Sequence, residues 1–462
     1  MSSEQTVTVA SHEFVAKPVN SLIVKYAGST LIGMLAQSIM VIFEGILIGN
    51  GLGADGLACV GLIMPLENLH LAIGTGFGIG LTTIAGIKLG QGDEKGARDA
   101  FGAGHVFITV LMLIIGICLI AFPAPIARFL GTPDKYMPFM IPFICIFGVG
   151  YPFCGFAQTV VGFLRMDERP GLTTAAMTVT AVLGVIWLYY VCFFSNLGIA
   201  GTGWYYAFSI GGWSLFGIPM FLDKKSKFRF KAKDLHIDFK LGGEAIKIAF
   251  PYICSQVSIS VFTIIINNIL IKIGTDIHIA AYAVISGYII YILNMFTMSV
   301  STGTTPIVSY NFGEKLFDRL KKLMTNCIYA NVLSVAVVTI IFEIFAKQII
   351  SILCGDAALV EVALPAVRIV ILAAALGSSL TVMSGYFEAV YKLIPATLAG
   401  IGRYLILATA CMFILVYIAG LGVNGVWYGL LAADILSFVV CLIMMASEKK
   451  RLENLKQLKG VN

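Results

Sequence analysis

Long apolar runs alternate with short polar breaks along the whole of this 462-residue chain. A helix that crosses a bilayer needs roughly 20 mostly apolar residues. By that rule the pattern predicts twelve spans, at about residues 22–49, 57–86, 100–122, 136–163, 171–194, 199–222, 245–272, 277–307, 320–345, 362–388, 394–418 and 423–446. Pro and Gly mark several breaks, as in Phe122-Pro123, Gly131-Thr132-Pro133 and Ile394-Pro395. The longest polar connection is DKKSKFRFKAKDLHIDFKLGGE at 223–244, between spans six and seven. The predicted fold is an all-α membrane protein.

The chain also repeats itself. LGAD at 52–55 answers IGTD at 273–276, and Arg98 in LGQGDEKGAR matches Arg319 in YNFGEKLFDR at an offset of 221. GFLRMDER at 162–169 answers GYFEAVYK at 385–392 at an offset of 223, and LGIAG at 197–201 answers LGVNG at 421–425 at an offset of 224. A nearly constant offset over half a chain is an internal duplication. Six spans per half is an even number, so the halves share one orientation and are related by an axis along the membrane normal. The expected layout is a tail at 1–20, a first six-helix lobe at 21–222, a basic linker at 223–244, a second lobe at 245–446 and a tail at 447–462.

Composition narrows the class. The chain is 58% hydrophobic and 12% charged, with mean hydropathy +0.92, whereas a soluble domain carries about 25% charged residues. That excludes a soluble protein. The net charge of +6 resides in short loops, and the basic 223–244 segment lacks any groove-reading motif, so no nucleic-acid partner is expected. Its expected role is a tether on the anionic face of the inner leaflet. Lys and Arg collect on the cytosolic side of membrane proteins. With both termini inside, 26 of the 31 Lys and Arg fall on that side. A multi-pass protein of the cell membrane with both termini cytosolic is expected. The first twenty residues hold no short apolar core with a cleavage site and read as a cytosolic tail. The ten cysteines form no CxxC pair and read as small buried hydrophobes.

Candidate chemistry lies in the polar groups inside the apolar runs. Residues 31–53 contain one carboxylate, Glu44, about five residues inside the outer end of span one. A charge at membrane depth costs at least ~2.5 kcal/mol and commonly marks a substrate or ion pathway. Glu67, Asn68 and His70 follow Pro65 in span two, with Glu67 and His70 on one helical face. A dry carboxylate can take up and release a proton, and a hydrated one beside amides can hold Na⁺ instead. Glu44 is thus a candidate site for either ion. The bland alternatives are that Glu44 is wetted at a helix end and that His70 only packs. Carried to the second half, Glu44 maps to Ile265, Glu67 to Tyr288 and His70 to Tyr291. Coupling chemistry is therefore expected in the first half. Asn267, Asn268, Tyr288, Tyr291 and Asn294 in the second, with Gln37, Tyr151 and Gln158 in the first, are candidates for a substrate cavity.

Other features read as structure. Gly74, Gly76, Gly78 and Gly80 form a run that resembles a nucleotide loop only as a string, since no strand precedes it. Spacing of four puts Gly74 with Gly78, and Gly76 with Gly80, on shared faces for close helix packing. Arg165, Glu388, Lys392 and Arg403 read as cytosolic span ends that snorkel or pair between lobes. Asp434 reads as a capping or pairing residue.

The residues resemble the multidrug and toxic compound extrusion (MATE) transporters. The likeness covers nearly the whole chain and is carried by IGNGLGADGLACVGLIMP at 48–65, GIGLTTIAGIKLGQGDEKGA at 78–97, GTTPIVSYNFGEK at 303–315 and LGVNGVWYGLLAAD at 421–434. The resemblance implies a V-shaped pair of bundles that exports amphipathic, often cationic, compounds against entering H⁺ or Na⁺. It also implies that Glu44 stands where the family usually has Asp. The family's Asn and Asp in span five match Thr180 and Gly184 here, and its acids in spans seven and ten have no counterpart, so Glu67 is the carboxylate available to complete the site.

The expected function is secondary active export of small organic molecules by alternating access, from a monomer with no cofactor beyond the coupling ion. The alternative is a flippase for a lipid-linked saccharide or lipid from the same two-lobed superfamily, which calls for a basic cavity. An enzyme is not expected, because HExxH, GxSxG and paired intramembrane aspartates are missing. Nor does any stretch resemble a channel filter.

Overall fold

The computed structural model describes residues 12–218, 223–224, 226–229, 236–353 and 357–460. A short first helix, α1 (Glu13–Ala16), follows His12. The first lobe follows as α2 (Val19–Gly53), α3 (Asp55–Gly90), α4 (Glu94–Ala121), α5 (Pro123–Phe129), α6 (Met137–Met166), α7 (Pro170–Phe194) and α8 (Gly198–Ser209). The helix α2 runs into α3 through Gly53, whose φ of +71° an L side chain rarely adopts. The second lobe comprises α9 (Phe239–Ile273), α10 (Asp276–Gly313), α11 (Phe317–Ile344), α12 (Ala346–Leu353), α13 (Ala357–Ile371), α14 (Ala374–Ala389), α15 (Leu393–Ile418) and α16 (Gly422–Leu458).

Ten of these helices are long and apolar enough to cross a membrane, and α13 with α14, bent by 44°, makes an eleventh. The span expected at 199–222 is instead the 12-residue α8 followed by a 3-10 stretch at Gly211–Gly217, and residues 219–222 lie outside those described. Gly211-Gly212 falls where the α-helix gives way, at the residue type that favours helix least after Pro. The helix α9 starts inside the stretch expected as linker, because the Asp238 carboxylate accepts from the backbone N–H groups of Lys240 and Leu241. Part of that linker is also held by protein rather than left for lipid. Lys227 bonds to Asp167 and Glu168, and Phe228 is buried against Phe101 and Phe163. Linker residues 225 and 230–235, and Cys354, lie outside the described residues.

The backbone carries the duplication. Left-handed residues recur at Gly92 and Lys315, at Glu168 and Tyr391, and at Gly198 and Gly422, pairs 223 or 224 residues apart. The first two pairs follow helix C-termini, and Gly198 and Gly422 open helices, at equivalent turns of the two lobes.

The lobes meet on one side, where α2 and α9 begin, α3 and α10 end and α16 finishes. We call it the tail side. A single core there joins Leu81, Phe101 and Phe163 of the first lobe to Ile307, Leu323 and Phe387 of the second. The other half of the second lobe has its own core around Phe262, Tyr282 and Trp427. In the glycine run, Gly76 and Gly80 abut Ala249 and Ala245 of α9, while Gly74 and Gly78 abut Gln158 of α6. Arg165 also crosses between lobes, donating from Nη1 to the Thr302 carbonyl at 2.7 Å.

The first described residues strap this side shut. Phe14 is fully buried, and its carbonyl accepts from Arg319 Nη2 at 2.8 Å and Nε at 3.1 Å in the second lobe. His12 Nδ1 lies 2.8 Å from Glu168 Oε1 in the first lobe, and the Glu13 N–H donates to the same oxygen at 3.0 Å. Glu13 is held by Lys25 at 2.8 Å and by the Tyr26 hydroxyl. Burial works to raise the Glu168 carboxyl, but His12, the Glu13 N–H and Lys227 outweigh it and bring it down to about 2.

Candidate functional site

Glu44 lies on α2 with 6% of its surface exposed. The Tyr206 hydroxyl of α8 donates to its Oε1 at 2.8 Å. Glu67 of α3 is half-buried and lies within electrostatic reach of both Glu44 and Tyr206. Tyr205, next to Tyr206, and Tyr291 of the second lobe reach the same cluster. Two carboxylates from adjacent helices thus lie around one phenol inside the first lobe, which donates to Glu44.

An aromatic wall fixes this arrangement. The Phe147 ring of α6 packs edge-on at 5.3 Å from both Tyr206 and Tyr151, and the Tyr151 hydroxyl anchors α6 to the Leu66 carbonyl of α3 at 3.0 Å. His70 is buried 4.8 Å from the Tyr151 ring, and its Nε2 has no hydrogen-bond partner. Gly184 on α7 faces the Tyr205 ring, where a Cβ would come within 3.0 Å. A hard cation takes oxygen ligands, and the cluster offers two carboxylates and two phenols. Among the described residues, no three His, Cys, Asp or Glu side chains converge as a metal site.

The other expected residues fall elsewhere. Asn68 is exposed. Thr180 bonds to the Ala176 carbonyl of its own helix at 2.7 Å and packs against Gly212. Gln37 donates to the Met177 carbonyl at 2.7 Å, tying α2 to α7, and Gln158 takes a long 3.4 Å contact from Thr75. Asn268 is exposed and bonds to its own helix, whereas Asn267 is half-buried. Tyr288 and Tyr291 are each more than two-fifths exposed on α10, and Asn294 lines a cavity in the second lobe.

Two groups escaped the sequence reading. Tyr205 and Tyr206 complete the acidic cluster, yet a tyrosine pair in an apolar run is ordinary. The duplication held the signal, since their counterparts at an offset of 224 are Gly429 and Leu430. The second is the partner within an ion pair, since Asp434 reads from sequence as capping or pairing but its partner is Arg403 of the same lobe. Arg403 was expected at a span end, but it sits ten residues into α15, buried, with Nε 2.8 Å from Asp434 Oδ1 and Nη2 3.3 Å from Oδ2. Lys392 likewise pairs within its own lobe, with Glu448 at 2.8 Å, and Glu388 is buried beside Ser384.

Comparison with known proteins adds to this geometry. The MatE family profile matches twice, over residues 29–190 and 251–422. The probable multidrug resistance protein YoeA of Bacillus subtilis is 23% identical over 426 residues, covering 90% of each chain. The multidrug export protein MepA of Staphylococcus saprophyticus is 23% identical over 425 residues, covering 91% of this chain and 92% of its own. The crystal structure of a MATE point mutant superposes with a TM-score of 0.88 at 19% identity, covering 96% of this chain and 98% of that one.

Proposed function

This chain belongs to the MatE family, of transporters rather than enzymes, and on that premise we propose that it exports amphipathic organic cations in exchange for entering H⁺ or Na⁺. The observation that carries this reading is the Glu44–Tyr206–Glu67 cluster, two acidic groups in one membrane-embedded site. A cation entering the cluster and a cationic substrate would compete for the same negative charge. Mutual exclusion of that kind is what an antiporter needs. A ligand shifts a conformational equilibrium only through its different affinity for the two states. The lobes are in contact on the tail side, and the bias of Lys and Arg supports a cytosolic tail side, so that this state is closed toward the cytosol. The relatives named for multidrug export support the substrate class. A lipid-linked saccharide carries phosphate, which two carboxylates would repel, so the flippase reading ranks second.

The test is transport in proteoliposomes with pH and Na⁺ gradients imposed separately, using ethidium as the cation. Export under one gradient by wild type, lost in Glu44→Gln, is the expected result and names the ion. Ethidium export that neither gradient drives would overturn ion coupling.

A further inference from the structure

The strap on the tail side is attached differently to the two lobes. Residues 12–17 run directly into α2, so the chain itself ties them to the first lobe. Side chains add to that tie. His12 Nδ1 and the Glu13 N–H share Glu168 Oε1 between α6 and α7, and Lys25 of α2 holds the Glu13 carboxylate. The hold on the second lobe is of another kind, made by side chains of α10 and α11 that donate to backbone carbonyls of the strap. Arg319 spans two of these, bonding to Phe14 through Nε and Nη2 and to Lys17 through Nη2. Asn311 Nδ2 lies 3.4 Å from the same Phe14 carbonyl. The Tyr310 ring completes the seat, 4.5 Å from the His12 ring and 5.8 Å from that of Phe14.

The duplication shows that this clasp is not a by-product of the helical plan. Arg319 has a counterpart 221 residues earlier, Arg98, in the first turns of α4. Arg98 Nη1 lies 3.4 Å from Glu94 Oε2 of its own helix. From the equivalent place, Arg319 instead reaches across the lobe boundary. It is half-buried rather than sealed, and its acceptors are neutral carbonyls. Water can take over both sides of such a bond, so its net contribution is modest and the contact can be made and broken repeatedly. If the lobes separate on the tail side, residues 12–17 must leave one of them. Chain continuity and Glu168 keep them on the first, so the break falls at Arg319.

We propose that Arg319 is a positioning residue for transport, which clasps the strap of the first lobe, holds the lobes together on the tail side and lets go in the step that opens that side. The proposal deepens the export reading, because it rests on lobe movement and names a contact that the movement breaks. The test follows opening directly. Ala249 is fully buried at the lobe boundary, against Gly76. Ala249→Cys is placed in the full chain with the ten native cysteines replaced, in nanodiscs, and its reaction with a water-soluble maleimide is timed. Where reclosure is fast, the labelling rate tracks the open fraction. One charge-assisted hydrogen bond amounts to about tenfold in an equilibrium constant, so Arg319→Ala should speed labelling about tenfold. Arg319→Lys, which keeps a charged donor, should speed it less than about threefold. Deleting residues 1–17 should speed it at least as much as Arg319→Ala. With the strap deleted, Arg319→Ala should add less than about twofold, since its partner is already gone. Arg98→Ala should leave the rate at the wild-type value. An arginine that only stabilised α11 would speed labelling equally with and without the strap. Unchanged labelling in Arg319→Ala, a full effect in the deleted chain, or equal acceleration by Arg98→Ala overturns the proposal. If Arg319→Ala does not fold, Arg319→Gln takes its place in the same comparison. Labelling uses neither substrate nor gradient. The expected pattern in a chain that exports no ethidium counts against cation export only, whereas ethidium export with an inert Arg319 counts against the clasp only.

Discussion

Tyr206 Oη donates to Glu44 Oε1 at 2.8 Å from 162 residues further along the chain. The bond ties α8 to α2 within the first lobe and orients the one fully embedded carboxylate of that lobe's centre. Tyr206→Phe keeps the ring, and with it the 5.3 Å contact to Phe147, while removing only the hydroxyl. Losing a hydrogen bond to a charged group costs about 1.5–3 kcal/mol. Coupled transport should fall by about tenfold or more in proteoliposomes, and the melting temperature should fall by a few degrees with the lost bond. A variant transporting at the wild-type rate would make this bond incidental.

Glu44 and Glu67 should behave as one unit. Residues in one network show non-additive effects. If each of Glu44→Gln and Glu67→Gln lowers coupled transport, the double variant should lose no more than Glu44→Gln alone. Multiplying effects would mean two separate sites. The comparison is made on initial export rates at matched protein density.

The two halves of the sequence differed in how much they disclosed. Apolar runs and the repeat made the helical, two-lobed plan legible, because membrane burial forces long uninterrupted stretches. Glu44 and Glu67 stood out for the same reason, as charges where charge is costly. Tyr206 did not, since a tyrosine is at home in an apolar helix. Arg403 reads as a span end because nothing in the adjoining letters marks a partner, and Asp434 lies 31 residues away in another helix. Pairing across helices leaves no local pattern. The break of the expected 199–222 span at Gly211-Gly212 is visible in the letters, but apolar neighbours hid it.

The Arg403–Asp434 pair predicts a distinctive stability pattern. Removing one partner of a buried pair strands the other charge and typically costs about 3–5 kcal/mol, whereas replacing both with apolar groups of similar size can be neutral. Arg403→Ala and Asp434→Ala should each lower the melting temperature strongly. Arg403→Met/Asp434→Leu should recover most of the loss. Thermal unfolding in detergent followed by size exclusion checks this. An equally unstable double variant would mean that packing, not charge, holds the site.

The strap at His12 and Glu168 predicts a pH dependence. Glu168 is held at about 2, below the ordinary 4.5 of a glutamate. A carboxyl lowered on folding contributes stability above its unfolded value, and the contribution is lost as pH falls through the folded value. The melting temperature of wild type should therefore exceed that of Glu168→Gln above about pH 4.5. The gap should close as the pH drops toward 2. A gap that stays constant over that window would show that the ion pairing of Glu168 plays no part in holding the strap.

Closure on the tail side can be locked covalently. A Cβ at Gly76 on α3 would lie 3.2 Å from the Cβ of Ala249 on α9, across the lobe boundary. Disulfides need Cβ atoms about 3.5–4.5 Å apart, so a small adjustment suffices for Gly76→Cys/Ala249→Cys. In a background with the ten native cysteines replaced, an oxidant should form the bridge in most molecules. If exchange requires the lobes to part on this side, the bridged protein cannot release the site toward the tails. Export should then fall at least tenfold and return on reduction. Each single cysteine should keep at least half the activity. Full activity with the bridge complete would mean that the substrate passes without separation of α3 from α9. Alternating access by lobe motion would then be replaced by a path within one lobe. The acidic cluster, which draws Glu44, Glu67 and Tyr206 from the first lobe alone, makes that outcome physically coherent and the measurement decisive.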